Sequence, residues 1–216
     1  MIVLFQIAGV LLFHWSYLTS ADPQALFPLQ FSANIEITAH LIEENSEYPP
    51  RKRRLRVYYD YIQKLARADI EEGYEAAKTY IRRYDLKNEY MVRYPPIDDC
   101  KRSYLGDIMP FPDIPISQFI GVEHIADIMT NHFLYVDGTA RIHVYIAHDG
   151  APVRLIQETY ENNESIPMLT YDYSNVVLKP QDKSLFDIPG SFSHNSCEKQ
   201  AGGFPYLHIF HYFVRF

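Results

Sequence analysis

The residues whose types suit chemistry are histidines and acids. His143, His148, Asp149 and Glu158 crowd one stretch and are the right kinds of group for general acid–base transfer. Nothing in their spacing fixes a geometry between them. No signature that anchors a reaction accompanies them: there is no Gly-x-Ser-x-Gly, Gly-x-Gly-x-x-Gly, P-loop or Cys-x-x-Cys. His208 and His211 would share a face of a helix but point to opposite faces of a strand, so they chelate one ion only in the first case. His194 lies near Cys197 and is a third candidate ligand. No Glu sits beside them in a zinc-type motif, so the expectation is hydrogen-bonded histidines and no metal. The acidic pairs Glu43-Glu44, Glu71-Glu72 and Asp98-Asp99 lack EF-hand spacing and read as solvated turns. No catalytic residue and no cofactor is assigned on this basis.

Compartment is better marked. Residues 2–15 are uncharged and largely apolar, too short for a span of about 20 residues and right for a signal-peptide core. Thr19-Ser20-Ala21 offers small residues for cleavage after Ala21, so residues 1–21 are expected to be a signal peptide and 22–216 a single β-rich domain. Two cysteines, Cys100 and Cys197, suggest one disulfide in a secreted chain. Asn163-Glu164-Ser165 is an N-glycosylation sequon in a polar loop. The expected location is extracellular or the lumen of the secretory pathway, lysosome included. A formal charge of −7 argues against general nucleic-acid binding, and the basic run at residues 51–54 reads as the solvated start of a strand. No segment after the first is apolar enough to span a membrane as a helix, so membrane contact is expected to be transient at most.

The elements that must position these groups are mainly strands. The 216 residues include 18 Tyr and 13 Phe, a composition that fits half-wet sheets or an aromatic-lined cavity. Residues 131–178 read as consecutive strands: an apolar and aromatic run at 132–136, an alternating segment at 141–147, then 153–160 and, after a polar loop at 161–167, 168–178; Asp137-Gly138 and Asp149-Gly150 are hairpin turns because glycine accepts positive φ. Residues 31–42 and 55–61 read as two earlier strands. Residues 62–84 stay open: Ile62, Leu65, Ala66 and Ile70 have helical spacing, yet the segment also divides into strands at 64–70 and 76–83. Residues 95–115 carry five prolines and read as irregular, residues 116–130 as a helix, and the aromatic tail 205–216 as a buried strand.

The order of these pieces resembles the ependymin-related secreted glycoproteins and, more broadly, the LolA-like half-barrels. The matching pieces are Leu55-Arg56-Val57-Tyr58-Tyr59-Asp60-Tyr61, a basic-aromatic strand at 79–85, Asp98-Asp99-Cys100-Lys101-Arg102, Phe119-Ile120-Gly121, Pro152-Val153, the strand at 171–177, Phe186-Asp187-Ile188-Pro189 and Cys197. Ependymin-like chains usually carry more cysteines, and the tail 202–216 has no counterpart. The resemblance implies a mainly β fold: a curved antiparallel sheet wrapped round an apolar cavity plugged by one or two short helices. It makes residues 79–85 strand. It also implies binding of a lipid or other apolar ligand, with or without calcium, and no chemistry.

One face of the 131–178 meander is apolar throughout: Phe133, Tyr135, Ile142, Val144, Ile146, Val153, Leu155, Leu169, Tyr171 and Tyr173. These residues line a cavity or fill a core, and the pattern alone fits both. The leading expectation is a secreted carrier or sensor of an apolar small molecule. The next is an extracellular interaction or adhesion glycoprotein with a filled core. The third is a hydrolase or glycan-processing enzyme using His and Asp/Glu. Its test is geometric: a histidine within reach of a carboxylate inside a cleft.

Overall fold

A computed structural model describes residues 27–46, 50–73, 77–112, 117–190 and 192–204. The signal-peptide expectation, the aromatic tail, His208 and His211 lie outside these residues. The described chain is one sheet of twelve strands in the order β12-β6-β5-β4-β3-β2-β1-β11-β10-β9-β8-β7. Neighbours are antiparallel except β12 (Glu198–Lys199), which runs parallel to β6 (Asp99–Tyr104).

The first strand, β1 (Gln30–Ala39), lies in the middle. To one side runs a meander of β2 (Lys52–Asp60), β3 (Leu65–Glu72), β4 (Lys78–Arg83), β5 (Asn88–Arg93) and β6. The chain then crosses to the far edge. It returns through β7 (Gln118–Ile125), β8 (Ile128–Asp137), β9 (Ala140–Ala147), β10 (Pro152–Glu161) and β11 (Glu164–Val177), which pairs with β1. The Asp-Gly turns stand where the alternation placed them, with φ of +59° at Gly138 and +87° at Gly150. The β10–β11 turn is Asn162-Asn163, both at positive φ, so the strand begins at Glu164 rather than after Pro167.

Two expectations are corrected, and the open reading of residues 62–84 is resolved. Residues 62–84 are strand, not helix, wherever they are described outside turns. The helix expected over 116–130 is not formed by the described residues 117–130 either: from Gln118 they form the β7–β8 hairpin, in which Phe119 packs edge-on against Phe133 across the pair. The proline-rich stretch 95–115 contains strand β6. Its prolines flank the strand at Pro95-Pro96 and Pro110 and take no ladder position in it. Among the described residues the only helical element is a single 3-10 turn, Lys183–Phe186, and none of them forms a helix that plugs the sheet.

The larger core lies on one face, called inner here, and runs through Phe31, Tyr59, Tyr80, Phe133, Leu155 and Tyr171. A second core lies on the opposite face of β3–β6 alone. It gathers Leu65, Ile81, Tyr90, Val92 and Phe186 around the disulfide Cys100–Cys197. That bridge pins the 3-10 turn and the chain after it onto the sheet.

Candidate functional site

The inner face is built by register. Phe133 lies opposite Val144, Val144 opposite Leu155, Leu155 opposite Tyr171, and Tyr171 opposite Ile37. One ladder further along, Tyr135, Ile142, Gln157, Leu169 and Ala39 stand side by side across the same five strands. Ile142, Val144 and Leu155 are 0% exposed. Phe133, Ile146, Tyr171 and Tyr173 are buried in the same cluster, and Tyr135 and Leu169 pack against it half-buried. Burial holds the Tyr173 hydroxyl well above its ordinary pKa, so it stays protonated. Nine of the ten predicted lining residues therefore come together. Val153 is buried apart from them, at a β-bulge where the register slips between Pro152 and Arg154. Sequence reasoning misses Gln157 because its polar type breaks the apolar pattern. Its Oε1 is buried on this face with no hydrogen-bond partner.

Among the described residues, coil packs on part of this face. Residues 105–112, leaving β6, pass over β1 and β2 as a strap. The Tyr59 hydroxyl donates to the Pro110 carbonyl at 3.0 Å, and the Phe27 amide donates to the Pro112 carbonyl at 2.9 Å. Met109 is buried in the core cluster, and Phe111 meets Tyr61 edge to face. Ile108, next to Met109, is 87% exposed. Phe27 and Phe204 complete the cover against Tyr173 and Tyr80.

At the β4–β5 end the inner face turns polar. Arg82 and Glu89 form a buried pair at 3.3 Å, and the Phe204 amide donates to Glu89 at 3.0 Å. Desolvation raises the Glu89 carboxyl above its ordinary range, against the pull of Arg82.

The outer face of β7–β10 brings together half of the predicted acid–base group. Glu158 stands 3.3 Å from His143 Nε2, and the Ser165 hydroxyl donates to Glu158. His143 Nδ1 lies 2.8 Å from His132 Nε2, and His132 Nδ1 lies 2.6 Å from Glu123. His132 stacks on Tyr145 with ring centroids 4.4 Å apart. Burial, the first cause, holds the His143 pKa below the ordinary histidine value, with Glu158 opposing. His148 and Asp149 do not join: Asp149 accepts from the Ala151 amide and shapes the turn. Alternation could have found His132, which sits on the same outward phase as Leu134 and Val136. Glu123 could not be found, because its strand reads as helix.

The other candidates resolve into structural roles. His194 is held between the Tyr90 hydroxyl at 2.8 Å and the Arg102 guanidinium at 3.1 Å. Among the described residues no group of three side chains is arranged to hold a metal. Glu44 pairs with Arg51, Glu72 with Arg54, and Asp99 with Arg93. Lys52 pairs with Glu36, so the basic run at 51–54 is the largely ion-paired start of a strand. Asn163 is exposed at the tip of its hairpin.

No protein-family model matches the chain, and no curated protein matches it. Solved structures do. An uncharacterized conserved protein from Thermus thermophilus superposes with a TM-score of 0.53 at 10% identity, over 80% of this chain and 91% of that one. The fold is shared with that protein. MucB in complex with MucA(peri) gives a TM-score of 0.45 at 8% identity, over 74% of this chain and 54% of that one. A LolA superfamily protein from Nitrosomonas europaea gives 0.36 at 16% identity, over 76% and 93%. These two likenesses are too distant to carry an argument.

Proposed function

We propose that the protein is a secreted carrier or sensor that binds an apolar ligand on the inner face of its sheet, beneath the strap 105–112. The observation that carries this reading is the cover itself. Among the described residues it is irregular chain that packs on this face, with Met109 buried in the same cluster as Phe133, Ile142, Val144, Leu155 and Tyr171. The strap's hydrogen bonds through the Pro110 and Pro112 carbonyls are each worth about 1 kcal/mol net. Met109 is an unbranched, adaptable plug that a ligand chain would replace. The unpaired oxygen of Gln157 offers a ligand one acceptor amid apolar surface, the usual make-up of a small-molecule site.

The half-barrel curvature belongs to the same reading, and chain length supports it. Ten strand spacings separate β6 from β7, about 48 Å across a flat sheet. The 14 residues from Tyr104 to Gln118 reach at most about 50 Å when fully extended. A flat sheet would leave the strap no slack to bury Met109. Secretion with removal of residues 1–21 and a glycan on Asn163 complete the picture, supported by the disulfide, which persists in oxidising compartments.

The interaction or adhesion glycoprotein with a filled core is the second reading. It is favoured by the zero exposure of Ile142, Val144 and Leu155. An uncharged apolar fluorophore, N-phenyl-1-naphthylamine, separates the two. The carrier reading expects saturable binding with enhanced emission, weakened at least tenfold in Met109→Trp, which fills the space under the strap. No saturable binding to the native protein would overturn it in favour of the filled core.

A further inference from the structure

We propose that Glu123, His132, His143 and Glu158 form a site that takes up one proton, and only one, when the surroundings acidify. Proton counting carries this. The four groups make three contacts in series: Glu123 to His132 Nδ1, His132 Nε2 to His143 Nδ1, and His143 Nε2 to Glu158. Each contact needs one proton. With both carboxylates ionised, two neutral imidazoles bring one N–H each. Whichever tautomers they adopt, at least one contact is left with two acceptors facing each other. The longest of the three, 3.3 Å at His143 Nε2, is where the proton is missing, and that buried nitrogen has no hydrogen-bond partner. One added proton gives every contact a donor and an acceptor. A second would set N–H against N–H across the 2.8 Å between the rings, so uptake stops at one.

The surroundings fit a single positive charge. Glu123 faces it from β7 and Glu158 from β10, and Tyr145 stacks beneath His132. Two groups on neighbouring positions oppose it. Arg141, on β9, lies over the Tyr160 ring at 3.6 Å, and Arg154, on β10, is neutralised by Asp172 of β11 at 2.5 Å. Burial lowers the His143 pKa against the pull of Glu158, with smaller contributions from His132 and Arg141. The completed chain spans β7 to β10, directly behind the wall that carries Ile142, Val144 and Leu155.

The test is an imidazole nitrogen NMR titration of the native protein from pH 8 to pH 4.5. The expected result is one proton taken up by the pair, with the resonances of both rings moving in a single shared step. Glu158→Gln and Glu123→Gln, each removing one terminal charge, should each move the midpoint of that step lower. Two rings titrating independently, with two protons bound, would overturn the proposal. So would a midpoint unmoved by both substitutions.

Discussion

The two wings of the sheet solve burial differently. In β3–β6 both faces are covered: Tyr80 and Met91 point into the inner core, while Ile81 and Val92 point into the disulfide-bound core behind. In β8–β10 the core lies on the inner face, and outward apolar residues such as Leu134 and Val136 stay half-buried or exposed. Its back carries histidines, carboxylates and arginines tied to one another. The first wing is held by a covalent clamp and a second layer, the second by register and a polar brace. A wing with one free face can respond to protons or ligands at lower cost than a wing packed on both sides.

The largest way to break this contrast is to remove the clamp. Cys100→Ala with Cys197→Ala releases a loop of 97 residues, and the chain-entropy model gives a loss of about 4–5 kcal/mol. A denaturant midpoint measured with and without the bridge reads it directly. A loss below about 1 kcal/mol would mean that the second core holds without the clamp.

Next come paired core truncations. Ile81→Ala and Ile142→Ala each remove a side chain of 0% exposure, one in each wing, and each should cost about 2–5 kcal/mol. The contrast predicts that they differ in coupling. In the bridge-free protein the Ile81 loss should shrink, because its cover is released, while the Ile142 loss stays as it was. Equal shrinkage in a double-mutant cycle would show that the wings do not unfold as separate neighbourhoods.

The smallest effect is the pH dependence of the one-sided wing. His143 binds its proton less readily in the folded chain than in the unfolded one, whose pKa is about 6.5. Its contribution to stability is therefore fully present above that value and lost as pH falls through it towards the lower folded pKa. Chemical denaturation at pH 7.5 and pH 5.5 should show the native protein losing more stability than His143→Gln. An equal loss in both would assign the pH dependence to other groups.

This contrast also explains what the sequence could tell. Where one face is wet, polarity alternates, so β8–β11 and most of the lining set are readable residue by residue. Where both faces are buried the alternation vanishes. Residues 79–82 of β4 and 89–92 of β5 are buried without interruption, and the helix and strand readings of that region stand level until a resemblance breaks the tie. The β7 error has another cause. Phe119, Val122 and Ile125 mimic helical spacing because a bulge between Phe119 and Gly121 shifts the strand's phase. Prolines at both ends hide β6. The Glu123–His132–His143–Glu158 chain joins positions up to 35 residues apart through register alone, and pattern carries no register between strands until each strand is placed.

A carrier role requires that the inner face hold a ligand and not only its own side chains. Native mass spectrometry of the protein secreted from a eukaryotic host, before and after organic extraction, tests it most directly. A carrier should show an adduct of a few hundred daltons that survives purification and is removed by extraction. A bare polypeptide mass, glycan aside, in repeated preparations would contradict it.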